Sequence, residues 1–178
     1  MGNGLENKME TYKVVVTDVV TRWYNSKEKS HRVGGPAVEF VDGEKHWYKD
    51  GKKHREDGPA VECANGYKEW YKEGNLHREG GPAVEDVDGT KIWYVEGKRH
   101  RTDGPALECA TGTKAWYVEG KYHREDGPAI EYVHGTKAWY LQGESYSEEE
   151  YNAKVLKAPS CEGKVVEIDG KKYKLTGV

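Results

Sequence analysis

Histidine beside arginine is a pairing that can do chemistry, and this chain carries it five times: His31-Arg32, His54-Arg55, His77-Arg78, His100-Arg101 and His123-Arg124. Histidine is a general acid or base near neutral pH, and the arginine fork holds phosphate or carboxylate. His54 with Asp57 offers an orienting pair and Arg55 an anion clamp. The recurrence argues against that use, because five copies of one catalytic group serve no purpose. Each pair is expected to sit in a turn and to bond neighbouring carbonyls and a recurring glutamate. Tryptophan recurs as well, at Trp47, Trp70, Trp93, Trp116 and Trp139. A tryptophan near an arginine can clasp a base and its phosphate. The candidate contacts for a ligand or partner are therefore the four pairs from His54 to Arg124, with Trp70, Trp93 and Trp116.

Other chemistry finds no support. Successive histidines such as His54 and His77 would stand ~10 Å apart, twice the strand spacing and too far to share an ion. No Cys-x-x-Cys, phosphate loop, dinucleotide fingerprint or nucleophile elbow occurs. Cys63 and Cys109 share one repeat position two units apart, ~20 Å on the same spacing, which excludes a disulfide between them. Free thiols and a reducing, cytoplasmic setting are expected. No metal, cofactor or catalytic residue is implied, and the chain reads as a non-enzyme.

The elements that must position these residues follow from the period. Gly-Pro-Ala begins at Gly35, Gly58, Gly81, Gly104 and Gly127, and every series advances by 23 residues. A unit this short buries no core alone, so neighbours must stack. Within one unit, Ala60 to Ala64 reads as a strand and Asn65-Gly66 as a two-residue hairpin turn. Lys68 to Lys72 returns, and Glu73-Gly74 makes a second turn. That turn would pair Val61 with Trp70 and Glu62 with Glu69. It sets Trp70 and Tyr71 on opposite faces, and a one-residue error would exchange every face. Glu62 and Lys68, repeated in each unit, are expected to form charge ladders along the sheet. The fold expected is mostly β: an elongated antiparallel sheet or solenoid of five to six 23-residue hairpins, with a short C-terminal helix and a terminal hairpin.

Composition agrees with a thin sheet. Of 178 residues 35% are hydrophobic and 33% charged, with Trp 6 and Tyr 13 but Phe 1 and Met 2. Net charge is −3 with signs interleaved, which does not favour a double-stranded nucleic acid. No apolar run approaches the ~20 residues of a membrane span, and Met1 to Met9 show no signal peptide. Residues 1–11 read as flexible. Residues 12–34 read as a capping strand, Tyr12 to Thr17, then a degenerate first repeat with Trp23 and His31-Arg32 one residue further apart. Five regular repeats fill 35–146. In the fifth, Tyr146-Ser147 stands where His-Arg is due. Ser147-Glu148-Glu149-Glu150 is a capping box that opens a helix from Glu148 to about Lys157, within a segment 147–158. Residues 159–178 form a terminal hairpin around Asp169-Gly170.

The motif Gly-x-x-His-Arg-x-Asp-Gly-Pro-Ala-Val-Glu, with Trp-Tyr-x-x-Gly, resembles the MORN-variant repeats over about residues 22–146. Asp57, Asp103 and Asp126 match it, whereas Gly34 and Gly80 depart from it. The resemblance implies consecutive hairpins in an elongated sheet and no catalytic activity. Similar repeats occur in proteins of bacteriophages, giant viruses and bacteria. Phage origin, action on a host defence or regulatory factor, and the host cytoplasm are what it suggests. The function expected is a scaffold that binds another protein. The alternative is a sponge that sequesters a small nucleotide through Trp, Arg and His. A homodimer joined at Tyr12 to Thr17 is a further expectation.

Overall fold

The computed structural model describes residues 11–156, 165–168 and 171–174. The chain is mostly β. Thirteen strands form one open antiparallel sheet in which the hairpins follow one another in chain order. It begins with β1 (Lys13–Val16) against β2 (Val20–Tyr24), followed by β3 (Val38–Phe40). Each unit then adds two short strands, for example Val61–Glu62 and Lys68–Glu69.

The first turn differs from the expected two-residue hairpin. Val61 pairs with Glu69, and Glu62 with Lys68. The Gly66 amide donates to the Cys63 carbonyl, and the Cys63 amide to the Tyr67 carbonyl, each at 3.0 Å. This is a three-residue loop, a type I turn closed by a glycine bulge. Only Gly66 takes positive φ, +98°, which is why its preceding partner varies freely between units. The extra residue moves the register by one and exchanges the anticipated faces. The two-residue turn with both φ positive lies instead at Glu73-Gly74, with φ 51° and 89°. Lys72 pairs with Asn75 across it.

The return strand also does not run through Lys72. It stops at Trp70, and Tyr71–Lys72 turns away to pair with Asn75–Leu76 in a small second hairpin. Trp70 makes the corner: its amide donates to Ala83 of the next unit at 2.8 Å, and its carbonyl accepts the amide of His77 at 3.0 Å. The second hairpins form their own row. The Gly74 amide donates to the Lys53 carbonyl of the preceding unit at 2.9 Å.

Register turns the invariant Glu and Lys into one continuous cross-strand row. Glu39 faces Lys45, Lys45 faces Glu62, Glu62 faces Lys68, and the alternation continues to Lys137. Opposite charges directly across strands stabilise a pairing and resist slippage. The core is a thin line between the sheet and the second hairpins. Ala37, Ala60, Ala83, Ala106 and Ala129 are completely buried, so no larger side chain fits there. Toward the C-terminal half a cluster of Ala106, Ala115, Tyr117 and Ile130 thickens it.

Helix α1 (Glu148–Leu156) closes the array. Its capping box forms: the Ser147 amide donates to Glu150, and the Glu150 amide to the Ser147 hydroxyl, at 2.9 and 3.2 Å. Tyr151 is buried against Trp139 with ring centroids 4.8 Å apart, and its hydroxyl donates to the Arg124 carbonyl at 2.8 Å. Beyond it, Val165–Ile168 pairs with Lys171–Lys174. Lys157, Cys161 and the Asp169-Gly170 turn lie outside the described residues.

Candidate functional site

The eleven candidate residues line one side of the array, which we call the outer rail. Each arginine reaches back to the tryptophan of its own unit. The guanidinium carbon of Arg55 lies 4.0 Å from the centre of Trp47, Arg78 3.8 Å from Trp70, Arg101 4.0 Å from Trp93 and Arg124 3.9 Å from Trp116. Even the degenerate unit keeps the stack, with Arg32 4.0 Å from Trp23. Positive φ at Glu28, 56°, absorbs its extra residue.

The hydrogen-bonding capacity of these arginines is turned inward. Arg55 donates from Nη1 to the Pro59 carbonyl at 3.1 Å and to Glu62 at 2.7 Å, and from Nε to Asp57 at 2.9 Å. Arg101 and Arg124 repeat the full set. Arg78 keeps the bonds to Pro82 and Glu85; Gly80 stands where an aspartate would take Nε. The guanidinium also explains the invariant glycine before proline. A Cβ on Gly58 would lie 2.9 Å from the Arg55 guanidinium carbon, closer than packing allows.

The histidines build backbone. Nδ1 of His54 accepts the Glu73 amide of the next unit at 3.1 Å, and His77, His100 and His123 do the same for Glu96, Glu119 and Gln142. Each accepted amide belongs to a non-glycine residue held at φ of 49–53°. That conformation is costly for a side chain with a Cβ, and the histidine offsets the cost by fixing the turn. Because Nδ1 accepts, the hydrogen of the neutral ring is on Nε2. In His54 and His77 this atom is buried without a hydrogen-bond partner, with Glu56 and Glu79 at 3.5 and 3.7 Å.

Between consecutive His-Arg loops lie clefts of about 730 Å³, lined by residues including Arg55, Trp70 and Arg78, and of about 600 Å³, lined by residues including Arg101, Trp116 and Arg124. Histidine is not set against Asp57, so the orienting pair does not form; Asp57 belongs to Arg55. What faces outward is acidic. Glu56, Asp57, Glu79, Asp103, Glu125 and Asp126 have side chains 80–84% exposed. The neighbouring arginine holds the carboxyls of Asp57, Asp103 and Asp126 below the ordinary carboxylate range. The sequence pattern pointed to cations as the recognition groups and passed over these anions. Their signal was the acidic residue that follows His-Arg in three of the five pairs, Glu56, Glu79 and Glu125.

A second polar set, unforeseen, lies on the inner side. Glu69 accepts the Tyr67 hydroxyl at 2.6 Å and lies 3.5 Å from Lys53. Arg99 donates to the hydroxyls of Tyr94 and Tyr117 at 3.2 and 3.0 Å. Among the described residues no group of three or more His, Cys, Asp or Glu could hold a metal ion, and no helix is long and apolar enough to cross a membrane. Cys63 and Cys109 are free thiols. The chain matches no protein-family model and no curated protein.

Proposed function

We propose that the chain is a non-enzymatic scaffold that binds another protein along the outer rail, and that the partner presents lysine or arginine side chains. One observation carries this reading: the arginines are consumed by internal bonds while carboxylates stand outermost at unit intervals. A rigid row of equal charges fits a partner with repeated basic groups, and such rim charges govern on-rate and salt dependence. The same arrangement argues against nucleotide capture on the rail. One face of each tryptophan is covered by a guanidinium, and an anionic ligand would meet carboxylates first. The equivalence of the units supports a binding surface over a catalytic centre, which needs one site unlike its neighbours.

Affinity capture from a bacterial lysate with the full chain is expected to recover a stoichiometric partner whose retention falls as salt rises. Charge reversal at Glu56→Lys, Glu79→Lys and Glu125→Lys, which leaves the Arg–Asp bonds intact, should reduce binding at least tenfold at unchanged melting temperature. Retention indifferent to both salt and reversal would reject the rail as the binding surface. Thermal stabilisation by nucleotides, in place of the flat response expected, would replace this reading with nucleotide capture.

A further inference from the structure

The sheet has two ends, and they are finished differently. At the C-terminal end the outermost strand is the short Glu144–Tyr146, paired with Trp139–Leu141 of a strand that begins at Lys137, and α1 packs Tyr151 onto Trp139. A short edge strand and a covering helix are standard means of blunting an edge. At the other end β1 is the outermost strand, with no strand on its free side among the described residues.

That strand is unlike the others. Every regular unit places Glu and Lys in its main-sheet strands, whereas β1 is Lys13-Val14-Val15-Val16, exposed throughout. Val14 is 48% exposed, Val16 70%, and Val19 in the following turn 61%. Three consecutive β-branched residues form strong strand sequence. No proline or bulge interrupts the ladder, since all four residues pair in register with Thr21 to Tyr24. Such an edge is a template for another strand.

We propose that β1 pairs antiparallel with β1 of a second copy across a two-fold axis, joining two thirteen-stranded sheets into one. The strand complements itself. With Val15 opposite Val15 of the second copy at the axis, Val14 faces Val16, Lys13 faces Thr17 and the two lysines lie at opposite ends of the ladder. Apolar β-branched pairs then meet directly and no like charges are opposed. A two-fold contact of this kind uses the same patch on both subunits and closes on itself. The blunted far edge leaves nothing for a third copy, so association ends at two. The patch is small, so self-association in the micromolar range follows. This inference stands apart from the outer rail and does not require it.

Sedimentation equilibrium of the full chain over about 1–300 µM tests it by mass action. The expected result is a monomer–dimer equilibrium without larger species. Val14→Lys with Val16→Lys puts charges on one face of β1 and should weaken dimerisation at least tenfold, with melting at low concentration unchanged. Register is read in a background with Cys63, Cys109 and Cys161 replaced by serine. Chains carrying Val15→Cys should then cross-link to one another faster than chains carrying Val14→Cys do, which keeps the test valid should the lysine variant fail to fold. A wild type monomeric throughout, a dimer indifferent to the lysines, open-ended growth, or cross-linking no faster through position 15 than through position 14 would each overturn the proposal.

Discussion

The outer rail and the inner row are built on the same 23-residue period, yet only one of them is the same in every unit. On the rail, Trp, Arg, Glu and Gly-Pro recur with stacking distances that differ by 0.2 Å. On the inner side, equivalent positions hold His46, Glu69, Ile92, Ala115 and Ala138. Their surroundings change with them: Glu69 has Tyr67 and Lys53, whereas Ile92 has Thr90 and Leu76 at the matching places. The rail joins each unit to the next by one rule. The inner row is solved separately in each unit, polar near the start and apolar in the cluster around Ile130.

The largest effect should come from breaking the rule. Arg101→Ala removes the stack on Trp93 and leaves Glu108 and the Pro105 carbonyl without their donor. A cost of about 2–4 kcal/mol is expected from urea unfolding. Arg78→Ala should fall within about 1 kcal/mol of it, because the hydrogen bonds of the two arginines differ only in the Nε bond to Asp103, which Gly80 cannot supply. Lysine at either position should recover less than half, since one ammonium cannot replace the planar fork. Markedly different costs at the two sites would show that the rail is not uniform.

On the inner row the prediction inverts. Ile92→Glu imports the residue of the preceding unit without its partners and should cost about 2–3 kcal/mol, the penalty of a half-buried carboxylate facing Leu76. Adding Thr90→Tyr and Leu76→Lys rebuilds the set seen around Glu69 and should restore more than half of the loss. A triple variant no more stable than the single one would break the claim that these residues work as local sets.

How much of this was legible follows the same division. The repeat, the array of hairpins and the helix at Glu148 could be read because each leaves a fixed local mark: an interval, a Gly turn, a capping box. The register could not. Both turns end in Gly, and a three-residue loop with a bulge is written with the same Asn-Gly as a two-residue one. The break at Trp70 was hidden too, because Lys68 to Lys72 has no Pro or Gly to announce it; the corner comes from the Trp70 bond to Ala83 of the next unit. The fate of the arginines was half visible. Bonding to a carbonyl and to the repeated Glu was expected, but stacking on Trp47 depends on a fold-back across the second hairpin that spacing alone does not encode.

The smallest effect separates the two regions by pH. Asp57, Asp103 and Asp126 titrate below their ordinary range because Arg55, Arg101 and Arg124 donate to them. Depressed carboxyls stabilise the fold above the unfolded value, near pH 4, and that contribution disappears as pH falls through the folded value. Tyr71 and Tyr117 move the other way, pushed up to about 12 chiefly by burial, with Glu69 adding to Tyr71. A raised tyrosine stabilises fully below the unfolded value, near pH 10, and the contribution is lost as pH rises toward 12. The rail should therefore weaken in acid and the inner row in alkali. Replacing the three aspartates by alanine should flatten only the acid limb of stability measured by urea unfolding. Glu69→Gln should lower the absorbance-monitored ionisation of Tyr71 and leave Tyr117 unmoved. Were both tyrosines to shift together, the inner row would be one electrostatic unit, and the contrast with the rail would fail at the point where it is most specific.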